Sequence, residues 1–352
     1  MALQNSHFPC PAQLIAYLWG HKNCPMQAIR PFQQAFQDFL GKHPFQREPK
    51  NLYNPADYIM GLGGKRLRPV LLLIGHYLFD DHYERSLPGA MAVEVFHNFS
   101  LVHDDIMDAA PLRRGKPTVH HLYGVNAGIL TGDVMLIRAY DYLLELNRPD
   151  LLPTLLSIFN RLAAEVCEGQ QMDMDFEKEE TVPIPEYLKM IELKTSVLIA
   201  GALKMGALLG GAGEKDAALL YEFGRNMGIA FQLQDDILDA FGDPEKVGKK
   251  PGGDIAQNKK TFLFLKALEL AGPEQGDHLK KWFAQAVAPG EEVAKIRQVL
   301  DLWNRLGVKD HAEEAKKKYQ ENAFMALEKV RAKENRTDIL QELAEDLLIR
   351  EA

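Results

Sequence analysis

The stretch HNFSLVHDDIMDAAP, residues 97–111, carries an apolar run into three aspartates within five positions and then stops at a proline. Residues 229–244, IAFQLQDDILDAFGDP, repeat the arrangement with the same D-D-x-x-D spacing. On a helix Asp104 and Asp108 are four apart and Asp105 and Asp108 three apart, so all three carboxylates are expected on one face, and Asp235, Asp236 and Asp239 likewise. Pro111 ends the first helix and Gly242 to Pro244 the second, which sets both triads near helix C-termini. Such an end is itself partially negative, so clustered carboxylates there call for a positive partner. A lone triad would read equally well as a solvated acidic face. Two of them, each after an apolar helix, point to an interior cleft. Mg²⁺ takes oxygen ligands and bridges one or two carboxylates to substrate phosphates, so Mg²⁺ with a phosphorylated ligand is the natural compensator.

Outward from the triads, apolar residues recur at helical spacing along almost the whole chain, as in AFMALEKVRAKENRTDILQELAEDLLIR (323–350), and strand-like alternation is hard to find. The fold class is therefore all-α. Breaks are expected at NLYNP, RRGKPT, NRPDLLP, EETVPIPE, GDPEKVGKKPGGD, GPEQG and PGEE. None resembles a long linker, so 352 residues, 46% hydrophobic and 26% charged, are expected to form one large helical domain. The net charge of −8 and the pI of about 5.8 lack the basic excess that nucleic-acid binding demands. Cys10, Cys24 and Cys167 are too few and too scattered for a disulfide framework or a zinc site, which fits a reducing cytoplasm. The run VLIAGALKMGALLGGAG (197–213) holds Lys204 and five glycines and reads as a buried core helix, not a membrane span. Residues 1–25 have no basic region ahead of their apolar patch and read as an extension of unassigned role, with Met26 an alternative start.

Cations are placed where such acids would need them. GLGGKRLRPVLL (61–72) sets Lys65, Arg66 and Arg68 after a glycine pair, a turn that could cradle phosphate or simply cap a surface loop. Arg113 and Arg114 lie beyond Pro111, off the helix of the first triad, so they are expected to be free for a ligand. Lys194, Lys249, Lys259 and Lys260 fall near helix boundaries or near the second triad. Arginine forks suit diphosphate oxygens, and lysine supplies a compact charge.

Taken together, GGKRLRP, LVHDDIMD followed by LRRGKPTVH, GQQMD, LKTS, FQLQDDILD and GKKPGGDIAQNKKT resemble the motifs of the trans-isoprenyl diphosphate synthases, or polyprenyl synthetases, in order and over roughly residues 27–350. The resemblance implies an isoprenoid-synthase helical bundle around a deep central cavity, with residues 26–352 as the polyprenyl synthetase domain, usually as a homodimer. It implies Mg²⁺ bound by Asp104, Asp105, Asp108, Asp235, Asp236 and Asp239, holding an allylic diphosphate that Arg113, Lys194, Lys249 and Lys259 also contact. Lys65, Arg68, His97 and Arg114 match the isopentenyl diphosphate site, and Gln170 and Asp173 match a wall of the cavity. The implied reaction is ionisation of the allylic C–O bond, attack by the isopentenyl alkene, and proton loss. The hydroxyl of Thr195 and the amide of Gln232 could steady the cation by their dipoles, or bond locally as ordinary helix residues.

In such enzymes bulk just ahead of the first triad shapes product length. At about 1.5 Å per residue, Phe99 lies about 7 Å down the helix from Asp104, with the small Ser100 beside it. A large residue there, in a motif without an insertion, resembles the archaeal-type geranylgeranyl synthases. A twenty-carbon product is expected, with fifteen carbons as the alternative, and plain core packing is the competing role for Phe99. DAAPLRRG lacks the further acidic or amide residues that relatives often carry between triad and arginines. A terpene cyclase would need a second motif mixing Asn, Ser and Glu, and a non-catalytic helical subunit would be expected to have lost acids or cations. Neither pattern is present.

Overall fold

The computed structural model describes residues 28–243, 251–284 and 290–348; residues 1–26 and Lys249, named above, lie outside them. Among the described residues the first half holds helices Arg30–Lys42 (α1), Lys50–Gly61 (α2), Leu67–Tyr77 (α3), Leu87–Met107 (α4), Val119–Tyr123 (α5), Val125–Leu144 (α6), Leu152–Lys178 (α7) and Ile184–Ile191 (α8). The second half holds Val197–Leu209 (α9), Glu214–Phe241 (α10), Gly253–Ala256 (α11), Phe262–Leu270 (α12), Pro273–Ala284 (α13), Glu292–Leu306 (α14), Val308–Leu327 (α15) and Asp338–Leu348 (α16). Strand structure among them is confined to a hairpin of Leu112–Arg113 (β1) and Lys116–Pro117 (β2), where RRGKPT was expected only to break a helix. The chain is all-α, as its periodicity implies.

The centre is α9. It is apolar all round and buried all round except at Lys204, whose ammonium reaches Glu214 at 2.6 Å. It packs against α3, α10 and α7. The crossing with α3 is close because both helices present glycine there: a Cβ on Gly75 would come within 2.6 Å of the Leu203 carbonyl, and one on Gly206 would strike that of Leu72. The run 197–213 is thus a core helix, and no helix among the described residues is long and apolar enough to cross a membrane.

Two apolar clusters fill the bundle. One joins α1 to α4, α6, α7, α9 and α16, and the other joins α8 to α12, α13, α14 and α15. Helix α10 serves both, giving Leu220, Phe223 and Met227 to the first and Leu233, Ile237 and Ala240 to the second. The second triad therefore rides on an element fixed along its length.

One local expectation is corrected, and one local feature is unannounced. NLYNP does not break a helix: α2 runs through it, with Pro55 inside. Pro55 forfeits only the bond to the carbonyl of Asn51, an exposed residue of the first turn whose oxygen water can satisfy. The other lies between α8 and α9, where Glu192–Ser196 form one turn of π-helix that no spacing in the sequence announces. That turn carries Lys194 and Thr195. Its backbone presses against α7 at Gly169, where a Cβ would collide with the Lys194 nitrogen.

Candidate active site

Helix α4 begins with Pro88 in its first turn and ends where Asp108 caps it and Ala109 takes the left-handed conformation, φ 48. Along it, about 100° of rotation per residue sets Asp104, Asp108 and Asp105 at about 0°, 40° and 100°, so Asp105 stands at the edge of the arc. Packing draws that edge residue inward, which corrects the expectation of three carboxylates on one face. Asp105 is 1% exposed and points inward. Arg113 grips it, with Nε 2.9 Å from both carboxylate oxygens and Nη2 2.8 Å from Oδ1. Arg113 is thus not the unengaged cation its position beyond Pro111 implied. It fastens the hairpin to α4, helped by Thr118, which donates to the Ala110 carbonyl at 2.8 Å, and by Tyr58, which donates to that of Pro117 at 2.6 Å.

Asp104 and Asp108 face the other way. Asp104 meets the ammonium of Lys194 at 3.6 Å, and Lys194 donates to Asp173 on α7 at 2.5 Å. Burial raises the carboxyl of Asp104 above its usual range; Lys194 opposes the rise, and Asp108 and Asp173 add to it. Asp104 and Asp173 thus share one ammonium, drawn together from α4, α7 and the π-turn. Gln170, one turn before Asp173, sets its amide 3.8 Å from the Met107 sulfur. Thr195 is half-buried beside Lys194.

Seven residues before Asp104, about 10 Å down the same face of α4, His97 accepts from Arg68 at 3.1 Å on its Nε2. Burial and the guanidiniums of Arg68, Arg114, Arg113 and Arg66 push the His97 imidazole well below its ordinary value, so it is neutral at physiological pH. Arg114 donates to the carbonyl of Gly63, and a Cβ on Gly64 would come within 3.0 Å of its guanidinium. The glycine pair, at φ 77 and 121, thus lets the backbone lie against Arg114, which is engaged and not unpartnered as expected. Lys65 is exposed at the rim. Arg66 is spent inside the fold: it is buried and paired with Glu94 at 2.5 Å, and Asn98 joins the same carboxylate at 3.0 Å.

The second triad divides as the first does. Asp236 is buried and accepts from the Tyr187 hydroxyl at 2.6 Å. Burial lifts its carboxyl to about 7, against the lowering pull of hydrogen bonds from Tyr187, the Phe262 backbone and Gln232. Gln232 is thus within hydrogen-bonding reach of the Asp236 carboxylate. Asp235 is exposed. Asp239 accepts from the backbone N–H of Asp254 at 2.9 Å, and Lys259 lies 3.4 Å from the Asp254 carboxylate. Lys260 is turned away, its ammonium capping the end of α7 through the carbonyls of Phe176, Glu177 and Glu179.

The donor set fits a hard divalent cation and an anion. Oδ1 of Asp104 is buried without a hydrogen-bond donor, and so is Oε1 of Gln170; buried Nε atoms of Arg66 and Arg68 lack acceptors. Among the described residues no three carboxylate, imidazole or thiolate side chains converge on one point. Phe99, 9% exposed, stands in a line of rings: Phe96 at 5.5 Å, His103 at 4.9 Å, and behind Phe96 the Phe159 ring of α7 at 5.3 Å. Ser100 donates to the carbonyl of His97 at 2.9 Å. Sequence reasoning missed Tyr187, Glu94 and Asp254. A lone Glu inside the apolar run AMAVEVF was the readable signal for one of them.

Residues 49–302 match the polyprenyl synthetase family. A geranylgeranyl diphosphate synthase of Methanosarcina mazei is 43% identical over 63% of this chain and 68% of its own. A geranylfarnesyl diphosphate synthase of Natronomonas pharaonis is 34% identical over 84% of this chain and 86% of its own. Among solved structures, a geranylgeranyl pyrophosphate synthase superposes with a TM-score of 0.87 at 44% identity, covering 92% of this chain and 99% of that one.

The geometry around Asp236 makes a prediction. Its carboxyl, raised from 3.8 to about 7, binds its proton more tightly folded than unfolded, so its contribution to stability falls as pH rises through that window. Tyr187→Phe removes a donor to the charged form and should cost about 1–3 kcal/mol above pH 7, with a smaller loss at pH 5. Denaturant titrations at the two pH values measure the difference.

Proposed function

Because this chain belongs to the polyprenyl synthetase family, we propose that it joins an allylic diphosphate to isopentenyl diphosphate, acting as a short-chain prenyltransferase. The observation that carries the reading is the pairing of Lys194 with both Asp104 and Asp173, set on the same face of α4 as the Arg68–His97 pair. One ligand charge can be held at each end of that face.

The allylic diphosphate belongs at the acidic end. Asp104, Asp108, Asp235 and Asp239 would hold Mg²⁺, while Asp105 and Asp236 keep the motifs in place from inside. Held by those residues, Mg²⁺ would neutralise the charge that develops on the departing diphosphate. Lys194 adds a proton-bearing charge at the same point, and Arg113 keeps the hairpin beside it. Lys249 and Lys259 are the further cations for this diphosphate. Arg68, Arg114, Lys65 and neutral His97 take isopentenyl diphosphate, the arginines by fork hydrogen bonds. The allylic C–O bond breaks with both electrons leaving on the diphosphate, the isopentenyl alkene forms the new C–C bond, and the neighbouring carbon loses a proton. The departing diphosphate is the proton acceptor we assign. Thr195 faces the same reaction from the π-turn.

The product we assign is geranylgeranyl diphosphate. Phe99 and the rings behind it stop the growing tail on the α4 side, and a twenty-carbon product is what several of the relatives are named for, others being named for longer ones. A second copy of the chain fits the outer face of α5 and α6, where Leu122, Ile129, Leu130, Ile137 and Leu144 stand exposed. Leu130, Ile137 and Leu144 recur every seven residues, the stripe a helical partner covers. A cytoplasmic setting fits the exposed free Cys167.

Incubation with isopentenyl diphosphate and each allylic primer should give Mg²⁺-dependent linear elongation only when both substrates are present. Asp235→Ala should lower kcat/KM about 100-fold or more; full activity in that variant, or product formed from farnesyl diphosphate alone, contradicts the reading. Phe99→Ala should shift the products past twenty carbons by chromatography, and an unchanged profile removes Phe99 from the floor.

A further inference from the structure

Lys295 on α14 is buried, 8% exposed. Lysines are almost never buried, because the ammonium forfeits several kcal/mol of hydration. Here the ammonium donates to the side-chain oxygen of Asn258 and lies 4.9 Å from the centre of the Phe283 ring. Burial pulls it below the usual lysine range. An apolar side chain of similar length would fill the same volume without that cost. What the ammonium adds is the hydrogen bond it places on Asn258.

Asn258 sits at a turn. Its backbone is left-handed, φ 60, and the next residue, Lys259, donates its N–H to the carbonyl of Asp254 at 2.9 Å. Asp254 in turn gives its own N–H to the Asp239 carboxylate, and its side chain draws Lys259 to 3.4 Å. The other end of the segment is braced by the same helix: a Cβ on Gly252 would come within 2.6 Å of the Ile296 side chain. Consecutive residues of α14 thus touch both ends of the turn that cradles Asp239, about which neither triad says anything.

We propose that Lys295 is a positioning residue for the allylic site: through Asn258 it fixes the turn that holds the Asp239 carboxylate and presents Lys259, and so governs capture of the allylic diphosphate without touching it. This rests on the prenyl-diphosphate reading of the second triad. An allylic substrate and Mg²⁺ meet this turn, whereas isopentenyl diphosphate belongs with Arg68 and His97. The effect of Lys295 is therefore selective.

Steady-state kinetics of the full chain, with melting temperature recorded, test the proposal. Lys295→Met should raise KM for the allylic diphosphate, and the Mg²⁺ concentration for half-maximal rate, about tenfold, while KM for isopentenyl diphosphate changes less than about twofold. Asn258→Gly keeps the left-handed turn but deletes the acceptor, so it should give the same selective shift and decides the matter should the methionine variant not fold. Unchanged KM values with a lower melting temperature, or equal increases for both substrates, overturn the role. A wild-type chain with no Mg²⁺-dependent elongation overturns the parent reading, and this one with it.

Discussion

On a helix, D-D-x-x-D spans an arc of about 100°, with the first and last aspartates about 40° apart and the middle one at the edge. Partners packed against that edge make the motif a two-sided device. In α4 the middle residue, Asp105, is locked by Arg113; in α10 its counterpart, Asp236, is locked by Tyr187. Asp104 and Asp239 can then sit close to other acids because their neighbours hold the helix ends still. A carboxylate cluster at two helix C-termini is costly in itself. Inward anchors on both motifs let that cost persist in a folded chain.

The remaining architecture serves the same purpose. Glycine at the α3–α9 crossing lets those two backbones meet, and α3 in turn carries Arg68 to His97 on α4. Gly169 lets the π-turn approach α7, which delivers Lys194 between Asp104 and Asp173. A side chain in either place would move a cation away from the acids or from its arginine cluster. Helix α10 spans both apolar clusters, so the second motif is tied to the core that supports the first.

Much of this was legible in the chain alone. Helical period, Pro and Gly punctuation and the repeated acidic spacing led to an all-α bundle with two acidic helix ends. All six aspartates and the basic stretch with Arg68 were named from those signals, whereas His97 and the role of Lys194 came from the resemblance to the polyprenyl synthetases. What could not be read was which way each side chain turns. Asp105 and Asp236 look identical in sequence to the acids beside them, and only the packing of the hairpin and of α8 decides that they face inward. Arg113 seemed unengaged because its partner is eight positions back across a proline, outside any helical spacing rule. The π-turn had no spacing signature, and Pro55 suggested a break where an exposed first turn tolerates it.

The division of each motif into an outer pair for the ligand and a middle residue for the fold is the central claim. A paired measurement of Asp104→Asn and Asp105→Asn, by Mg²⁺-dependent turnover and by denaturant unfolding, tests it most directly. The account predicts that Asp104→Asn abolishes turnover at near-native stability, whereas Asp105→Asn loses about 3 kcal/mol of stability by stranding Arg113 and keeps the native Mg²⁺ dependence in its folded fraction. Equal stability in the two variants, with the Mg²⁺ dependence lost in Asp105→Asn as well, would contradict it.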